Sequence, residues 1–216
     1  MNTIFFSNKI LKWYNINKRE LPWRKTKNPY FIWISEVILQ QTRVEQGKQY
    51  YLKFIDSFPD ITSLAAASED EILKTWQGLG YYSRARNLHK GAKQIVQNYN
   101  GIFPNKYHEL LKISGIGPYT AAAIASIAFN IAKAAIDGNV YRVLSRVFEI
   151  NAPIDSSTGK KTFDTLANKL IDNKQPGNYN QALMELGALI CKPRNPICEN
   201  CPLQNNCLAH KNYSIS

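Results

Sequence analysis

The segment Leu111-Lys-Ile-Ser-Gly-Ile-Gly-Pro-Tyr-Thr-Ala-Ala-Ala-Ile-Ala-Ser126 predicts the end of one helix, a Gly-x-Gly turn and the start of a second helix. Gly115 and Gly117 allow the backbone to turn tightly and to approach a ligand closely. The amides after the turn lie at the positive end of a helix dipole, where a phosphate binds well. The segment thus has the form of a helix-hairpin-helix, which holds the DNA backbone without reading bases. A plain connection between two helices is the alternative.

Outside this hairpin the chain also reads as helical, and we predict an all-α fold. Apolar residues recur at helical spacing, alternating strand patterns are scarce, and the alanine-rich run 121–125 suits close helix packing. The polar stretch 151–159 predicts a loop. The predicted helices span residues 4–16, 30–42, 46–58, 69–76, 81–98, 107–113, 119–129, 139–148, 162–173 and 179–190.

The charge balance indicates a polyanion as partner. Lysine and arginine outnumber aspartate and glutamate by 27 to 16, which gives the 216-residue chain a formal charge of +11. A solvated basic surface without a binding role is the alternative. The N-terminus has no signal-peptide pattern, and no apolar stretch approaches the length of a membrane span. We therefore expect a cytoplasmic protein with no membrane partner, in a compartment where thiols stay reduced.

The four cysteines of the chain form one group near its C-terminal end, spaced Cys191-x6-Cys198-x2-Cys201-x5-Cys207. Structural zinc sites usually combine two short Cys-x2-4-Cys pairs, and only Cys198 and Cys201 form such a pair. Loops of six and five residues suit the four corners of a cubane better than one tetrahedral ion. The spacing therefore favours one [4Fe–4S] cluster, with a zinc ion or disulfides as alternatives.

Two carboxyl groups have neighbours in the sequence that suit them to catalysis, one as a charged group and one as a proton donor. Asp137 precedes a predicted helix and is placed to cap it, which would keep the carboxylate ionised and suited to face a developing cation. Glu36 is the only charged residue between Pro29 and Thr42, and apolar neighbours raise the pKa of such a carboxyl, so that it can donate a proton near neutral pH. A glutamate on the narrow polar side of a buried helix is the alternative. A neutral acid and an ionised carboxylate together can cleave a glycosidic bond.

In combination these features resemble the endonuclease III superfamily of DNA glycosylases, and within it the MutY family of adenine glycosylases. The resemblance covers nearly the whole chain. The motifs that carry it are Leu21-Pro-Trp-Arg24, Trp33-Ile-Ser-Glu-Val-Ile-Leu-Gln-Gln-Thr42, Trp76-Gln-Gly-Leu-Gly-Tyr-Tyr-Ser-Arg-Ala-Arg-Asn-Leu-His89, Gly115-Ile-Gly-Pro-Tyr-Thr120, Asp137-Gly-Asn-Val140, Asn180-Gln-Ala-Leu-Met-Glu-Leu-Gly-Ala188 and the cysteine group.

The resemblance implies two helical lobes with a DNA cleft between them. A six-helix, barrel-like lobe would span residues 26–134 and contain the hairpin at about 111–126. An iron–sulfur lobe would combine residues 1–25 with 135–216. MutY proteins carry a further C-terminal domain that senses 8-oxoguanine. We expect that domain to be absent, because the chain stops nine residues after Cys207.

The resemblance also implies roles for individual residues. Glu36 would protonate adenine, Asp137 would stabilise the sugar cation, and Asn139 would orient Asp137. Tyr119 stands where bifunctional relatives carry a Schiff-base lysine, which implies a monofunctional enzyme. Contacts with DNA would come from the wedge residues Gln41 and Tyr81, from the pocket and opposite-base residues Trp23, Arg24, Leu39 and Thr42, and from Lys192 and Arg194 of the cysteine loop. Core or surface packing is the alternative for the wedge, pocket and opposite-base residues.

The function implied is excision of adenine mispaired with 8-oxoguanine or guanine, on double-stranded DNA, by a monomer. The location implied is the cytoplasm of a bacterium, in association with the nucleoid. A thymine or uracil mismatch glycosylase on the same scaffold is the alternative. An oxidised-pyrimidine glycosylase with lyase activity, as in endonuclease III, is a second alternative. A non-catalytic iron–sulfur protein that binds DNA is the most distant one.

Overall fold

The structure, a computed structural model, describes residues 3–212, and within that range all regular secondary structure is helical. The all-α prediction is therefore confirmed. Three short 3-10 turns accompany the α-helices, at Pro22–Arg24, Cys198–Asn200 and Gln204–Asn206. The helices are α1 Thr3–Asn17, α2 Pro29–Ile38, α3 Val44–Ser57, α4 Ile61–Ala66, α5 Glu69–Trp76, α6 Ser83–Tyr99, α7 Tyr107–Leu110, α8 Pro118–Phe129, α9 Gly138–Phe148, α10 Ser157–Leu170, α11 Pro176–Leu189 and α12 Leu208–Lys211.

The helices divide into two compact units. One unit is Glu20–Phe129 and contains α2 to α8. The other combines the chain up to Arg19 with the chain from Asn130 onward, and it contains α1 and α9 to α12. Within residues 3–212, no helix is long and apolar enough to cross a membrane.

Helix α2 lies at the centre of the unit 20–129. It starts after Asn28, whose side chain accepts a hydrogen bond from the Tyr30 N–H, and Pro29 occupies the first helical position, where its missing N–H costs nothing. Most of its residues are buried against α3 and α8. Residues 121–125 of α8, four alanines and Ile124, are fully buried, in agreement with the predicted close helix packing.

The second unit is built around α9 and α11. Helix α11 packs against α1 on one side and α9 on another, and α10 packs against α1. Their contact faces are apolar and include the fully buried Phe6, Phe163, Leu144 and Leu186. The chain after α11 forms an irregular loop with two 3-10 turns, which ends in α12 beside α9.

Several local predictions differ from the structure. Helix α2 ends at Ile38 and not at residue 42, because Gln41 adopts a left-handed backbone with φ 57°. The predicted loop 151–159 contains the start of α10, since Ser156 caps the Gly159 N–H. The short helices α4 and α12 were not predicted, because periodicity over four to six residues is too brief to detect.

Candidate functional site

Asp137 lies directly before α9 and caps it. Its Oδ1 accepts a hydrogen bond from the Val140 N–H at 2.8 Å, and its Oδ2 accepts one from Asn139 Nδ2 at 2.7 Å. The predicted cap is therefore confirmed, and Asn139 holds the contact with Asp137 that an orienting role requires. The carboxylate is only partly buried. It is thus fixed in orientation while some of its surface remains accessible.

Arg142, one turn further along α9, supports this pair and was missed by sequence reasoning. Its Nη2 donates to Asn139 Oδ1 at 2.7 Å and to the Gly187 carbonyl at 2.8 Å, and its Nε donates to the Cys191 carbonyl at 2.7 Å. Burial lowers the pKa of the Arg142 guanidinium, which nevertheless stays charged. The only signal in the sequence was an arginine three residues after Asn139, on the same helix face.

Helix α11 holds the backbone that leads into Asp137. The side chain of Asn180, which is buried, accepts from the Ala135 N–H at 3.1 Å and donates to the Lys133 carbonyl at 2.9 Å. A Cβ atom at Gly187 would lie 2.5 Å from the Cβ of Asn139, so the close approach of α11 requires glycine there. Asn180 and Gly187 both fall in a motif that carried the family resemblance, but neither of them was predicted as a site residue.

Glu36 lies on α2 in the other unit. Its neighbours Ser35 and Val37 are buried, whereas Glu36 itself is only partly buried. Part of the Glu36 surface therefore remains open to a ligand. The raised pKa expected for Glu36 stays a prediction.

The predicted helix-hairpin-helix is present between α7 and α8. Gly115 has φ 79°, and a Cβ there would lie 3.2 Å from the Cβ of Asn87. Gly117 has an ordinary backbone, and a Cβ there would meet nothing within 4 Å. The fold itself therefore requires glycine at 115 but not at 117. Open space beside Gly117 is consistent with close approach of a ligand from outside.

Gln41 and Tyr81, the predicted wedge residues, lie on two neighbouring loops of the unit 20–129. Both are exposed, and Tyr81 retains 66% of its accessible surface. Both adopt left-handed backbones, with φ 57° for Gln41 and 47° for Tyr81. A cavity of about 290 Å³ lies beside these loops, lined by Val37, Gln40, Arg84, Asn87, Gly115, Ile116 and Gly117.

The other predicted contact residues differ in accessibility. Trp23 is buried, with its ring edge-on to Tyr51 at a centroid distance of 5.3 Å, which is core packing. Leu39 is partly buried and faces Gly47 of α3, where a Cβ would lie 2.8 Å from its Cδ2. The remaining three residues are partly buried: Arg24, Thr42 and Tyr119, the last of these in the first turn of α8.

The four cysteines line one cavity in the unit formed by α1 and α9 to α12. Burial raises the pKa of Cys201 to about 11, with its neighbouring cysteines adding to the shift. Arg146 of α9 also lines the cavity, and its Nη1 lies 3.4 Å from the Cys191 sulfur. The same guanidinium donates to the carbonyls of Lys192 and Pro193. The side chains of Lys192 and Arg194 remain exposed.

Comparison with known families identifies the fold. Residues 34–169 match the HhH-GPD superfamily of base excision DNA repair proteins, and residues 191–207 match the iron–sulfur binding domain of endonuclease III. The chain belongs to the HhH-GPD superfamily. The resemblance stated from the sequence is thereby confirmed.

Relatives of this superfamily member include adenine DNA glycosylases. The adenine DNA glycosylase of Buchnera aphidicola subsp. Baizongia pistaciae is 46% identical over 100% of this chain and 61% of the relative. The human adenine DNA glycosylase is 42% identical over 95% of this chain and 39% of the relative. The chain thus spans roughly two fifths to three fifths of the length of these relatives.

Two solved structures are similar over nearly their full length. A thermostable thymine-DNA glycosylase has a TM-score of 0.89 and 30% identity, with 97% of each chain covered. An endonuclease III trapped as a covalent intermediate with DNA has a TM-score of 0.81 and 23% identity, with 99% of each chain covered. The second likeness concerns the fold alone.

The HhH-GPD chain carries one [4Fe–4S] cluster, as predicted. The residues present fit such a group, because four thiol side chains line a single cavity whose other walls are mostly apolar. Within residues 3–212, no three histidine, cysteine or acidic side chains are grouped tightly enough to hold a single metal ion. In a cubane each thiolate binds a different iron, so the four sulfur atoms stand further apart.

Proposed function

We propose that the chain is a monofunctional DNA glycosylase that hydrolyses the N-glycosidic bond of adenine mispaired with 8-oxoguanine or guanine. The observation that carries the proposal is the capped carboxylate of Asp137, held at both oxygens, in a chain whose curated relatives are adenine DNA glycosylases at 36–46% identity. Its partner would be double-stranded DNA, bound by a monomer. The cytoplasmic, nucleoid-associated location remains a prediction.

Glu36 and Asp137 divide the chemistry in this proposal. Glu36 donates a proton to the imidazole ring of adenine, and the bond between the sugar and the base then breaks with its electron pair leaving on the base. The anionic Asp137 stabilises the oxocarbenium-like sugar, with or without a transient covalent bond. A water molecule adds its hydroxyl to the sugar carbon and returns a proton to Glu36. Hydrogen bonds from Val140 and Asn139 keep Asp137 in one orientation for this role.

Tyr119 supports the monofunctional part of the proposal. It lies in the first turn of α8, directly after the hairpin. A phenol cannot form a Schiff base with the sugar, because it has no amine. Strand cleavage by β-elimination through this residue is therefore not expected.

DNA contact is assigned to exposed backbone and basic side chains. The amides after Gly117 would bind a phosphate at the start of α8, which is twelve residues long. Lys192 and Arg194 would bind others from the cysteine loop. Because counterions are released on binding, the affinity should fall steeply with salt concentration. Gln41 and Tyr81 would enter the duplex when adenine is extruded.

The cysteine loop has a structural role in this proposal. Cys191, Cys198, Cys201 and Cys207 would hold the [4Fe–4S] cluster. When bound, the cluster cross-links the loop through four iron–sulfur bonds, and it takes no part in hydrolysis. Arg146 supports the same loop by donating to the Lys192 and Pro193 carbonyls.

A thymine mismatch glycosylase is the second candidate, because a thymine-DNA glycosylase is 30% identical over almost the whole chain. Single-turnover excision should therefore be measured on A·8-oxoguanine, A·G and T·G duplexes in parallel. Release of adenine alone is expected, and release of thymine alone would overturn the proposal.

Two further measurements test the mechanism. Glu36→Gln should lower adenine excision by about 100- to 10,000-fold with duplex binding nearly intact, whereas Glu45→Gln, an exposed residue of α3, should change neither. Undiminished turnover of Glu36→Gln would remove Glu36 from the mechanism. Borohydride should trap no covalent adduct with DNA. Efficient trapping would contradict the role given to Tyr119 and favour a lyase.

A further inference from the structure

Arg84, in the first turn of α6, donates hydrogen bonds to two separate backbone segments, namely the end of α2 with the turn that follows it and the loop that precedes α6. Its two terminal nitrogens reach five carbonyl groups, and its guanidinium carbon lies 5.3 Å from the centre of the Trp76 ring. Nη1 donates to the carbonyls of Val37 (2.9 Å), Ile38 (3.2 Å) and Gln40 (2.6 Å), and Nη2 to those of Leu79 (3.3 Å) and Gly80 (3.4 Å).

Gln41 directly follows the last of these carbonyls in the first segment, and Tyr81 directly follows the last in the second. Each is exposed, and each has a positive φ although neither is glycine. Such backbones are uncommon and persist only where the surrounding contacts determine them. The Arg84 guanidinium supplies such contacts on both loops, and it also lies 5.7 Å from the centre of the Tyr81 ring.

Lysine cannot replace Arg84 in this arrangement. The planar guanidinium presents several donors in a fixed fork, so one side chain can bind both loops at once. A lysine ammonium offers three donors at one point on a flexible chain. It would keep the positive charge but not the link between the two loops.

We propose that Arg84 is a positioning residue that fixes the loops of Gln41 and Tyr81 relative to each other, so that both side chains are preorganised to enter the duplex as adenine leaves it. The inference rests on the proposed function for the role of the two loops. Arg84 itself touches neither the base nor the sugar in this proposal. Its effect is on extrusion of the base and not on bond cleavage.

Arg84→Lys tests this inference, with Arg86→Lys as a matched control. Arg86 lies two residues away on α6 and is exposed. The side-chain contact described for it is an ion pair with the exposed Glu69, at 2.8 Å. In Arg84→Lys, single-turnover excision of adenine opposite guanine should fall at least about tenfold, which corresponds to about 1.4 kcal/mol. Arg86→Lys should excise at the wild-type rate. An unchanged rate in Arg84→Lys would overturn the inference.

Two substrates separate positioning from a general structural defect. With 2-aminopurine in place of adenine, the fluorescence rise on extrusion should be lost in Arg84→Lys and kept in Arg86→Lys. With adenine opposite an abasic spacer, where less stacking opposes extrusion, Arg84→Lys should recover most of its excision rate. If Arg84→Lys loses the same fraction of its excision rate opposite guanine and opposite the abasic spacer, Arg84 acts through the fold or through bond cleavage. That result would overturn the inference.

A double variant gives an independent check. If Arg84 acts through the wedge loops, Arg84→Lys should add little to the defect of Tyr81→Ala, whereas independent effects would multiply. Multiplying effects would overturn the inference. If the wild-type protein excises no adenine from any substrate, the proposed function fails instead. The 2-aminopurine comparison would still report on Arg84 in that case.

Discussion

Arg142 donates from Nη2 to the Oδ1 of Asn139 across 2.7 Å, and this bond fixes the direction of the Asn139 amide. Because the amide oxygen faces the guanidinium, the amide nitrogen faces Oδ2 of Asp137, also at 2.7 Å. The Nε of Arg142 donates to the carbonyl of Cys191. One side chain therefore joins the candidate catalytic carboxylate to the start of the cysteine loop.

Replacing Arg142 should impair excision more than DNA binding. In Arg142→Met the Asn139 amide loses its fixed partner, so its hydrogen bond no longer holds Oδ2 of Asp137 in place, and only the Val140 N–H bond to Oδ1 remains. Because small misplacements of a reacting group are costly, we expect single-turnover excision to fall by about 10- to 100-fold. Duplex affinity should change by less than about threefold, since no phosphate contact is removed. Lys169→Met, an exposed cation of α10, is the control, and a wild-type rate in Arg142→Met would contradict the prediction.

The two hairpin glycines should give opposite results. Gly117→Ala should leave the thermal unfolding midpoint unchanged and weaken duplex binding, because the added methyl group meets no protein atom but fills the space that a phosphate would approach. Gly115→Ala should lower the midpoint, because φ 79° disfavours alanine and the methyl group would crowd Asn87. Salt-titrated binding and thermal unfolding of both variants check this. Weaker stability in Gly117→Ala with full binding would contradict it.

The parts of the site that were predictable are local in sequence. The cap of Asp137 and its contact with Asn139 involve residues within three positions, and the hairpin is carried by a single short segment. Helical periodicity was sufficient for the all-α fold. Each of these features depends on backbone geometry that neighbouring residues determine by themselves.

The features that were missed depend on contacts between distant segments. Arg142 binds carbonyls 45 and 49 residues away, at Gly187 and Cys191. The early end of α2 is stabilised by Arg84, which lies 44 residues beyond the Gln40 carbonyl that it binds. Leu39 extends the apolar run past Ile38, and neither it nor the polar residues that follow indicate a contact with Arg84. Such partners become visible only when the packing of the helices is known.

The ion pair between Arg19 and Glu185 should be important for stability. Glu185 is buried, and its carboxylate accepts from Arg19 Nη2 at 2.6 Å, from Nε at 2.9 Å and from the backbone N–H at 2.9 Å. Arg19→Met should lower the free energy of unfolding by about 3–5 kcal/mol, because it removes the compensating positive charge and both guanidinium hydrogen bonds from the buried Glu185 carboxylate. Urea unfolding measures this.

An exposed ion pair and a double variant serve as controls for that prediction. Arg86→Met, which breaks the exposed pair with Glu69, should cost no more than about 1 kcal/mol. Arg19→Met combined with Glu185→Leu should be more stable than Arg19→Met alone, since no buried charge remains. A double variant that is less stable than the single one would contradict this account.

His89 should make the stability of the protein depend on pH. The imidazole is buried, which lowers its pKa below the ordinary value, and the charge of Lys93 lowers it further, against smaller opposing effects of hydrogen bonds to the Ala65 and Ala67 backbones and of the Glu69 charge. The unfolded chain therefore binds a proton at a higher pH than the folded protein does. Stability is full above the unfolded pKa of about 6.5 and is lost as the pH falls towards the folded pKa.

His89→Gln should flatten this dependence, because glutamine does not titrate. We expect the free energy of unfolding of the wild type to fall between pH 8 and pH 5 more steeply than that of His89→Gln, measured by urea unfolding at each pH. His108→Gln, which alters an exposed histidine, should keep the wild-type slope. Only a group whose pKa differs between the folded and the unfolded protein contributes to the pH dependence of stability. If His89→Gln and the wild type show the same slope, groups other than His89 cause the pH dependence.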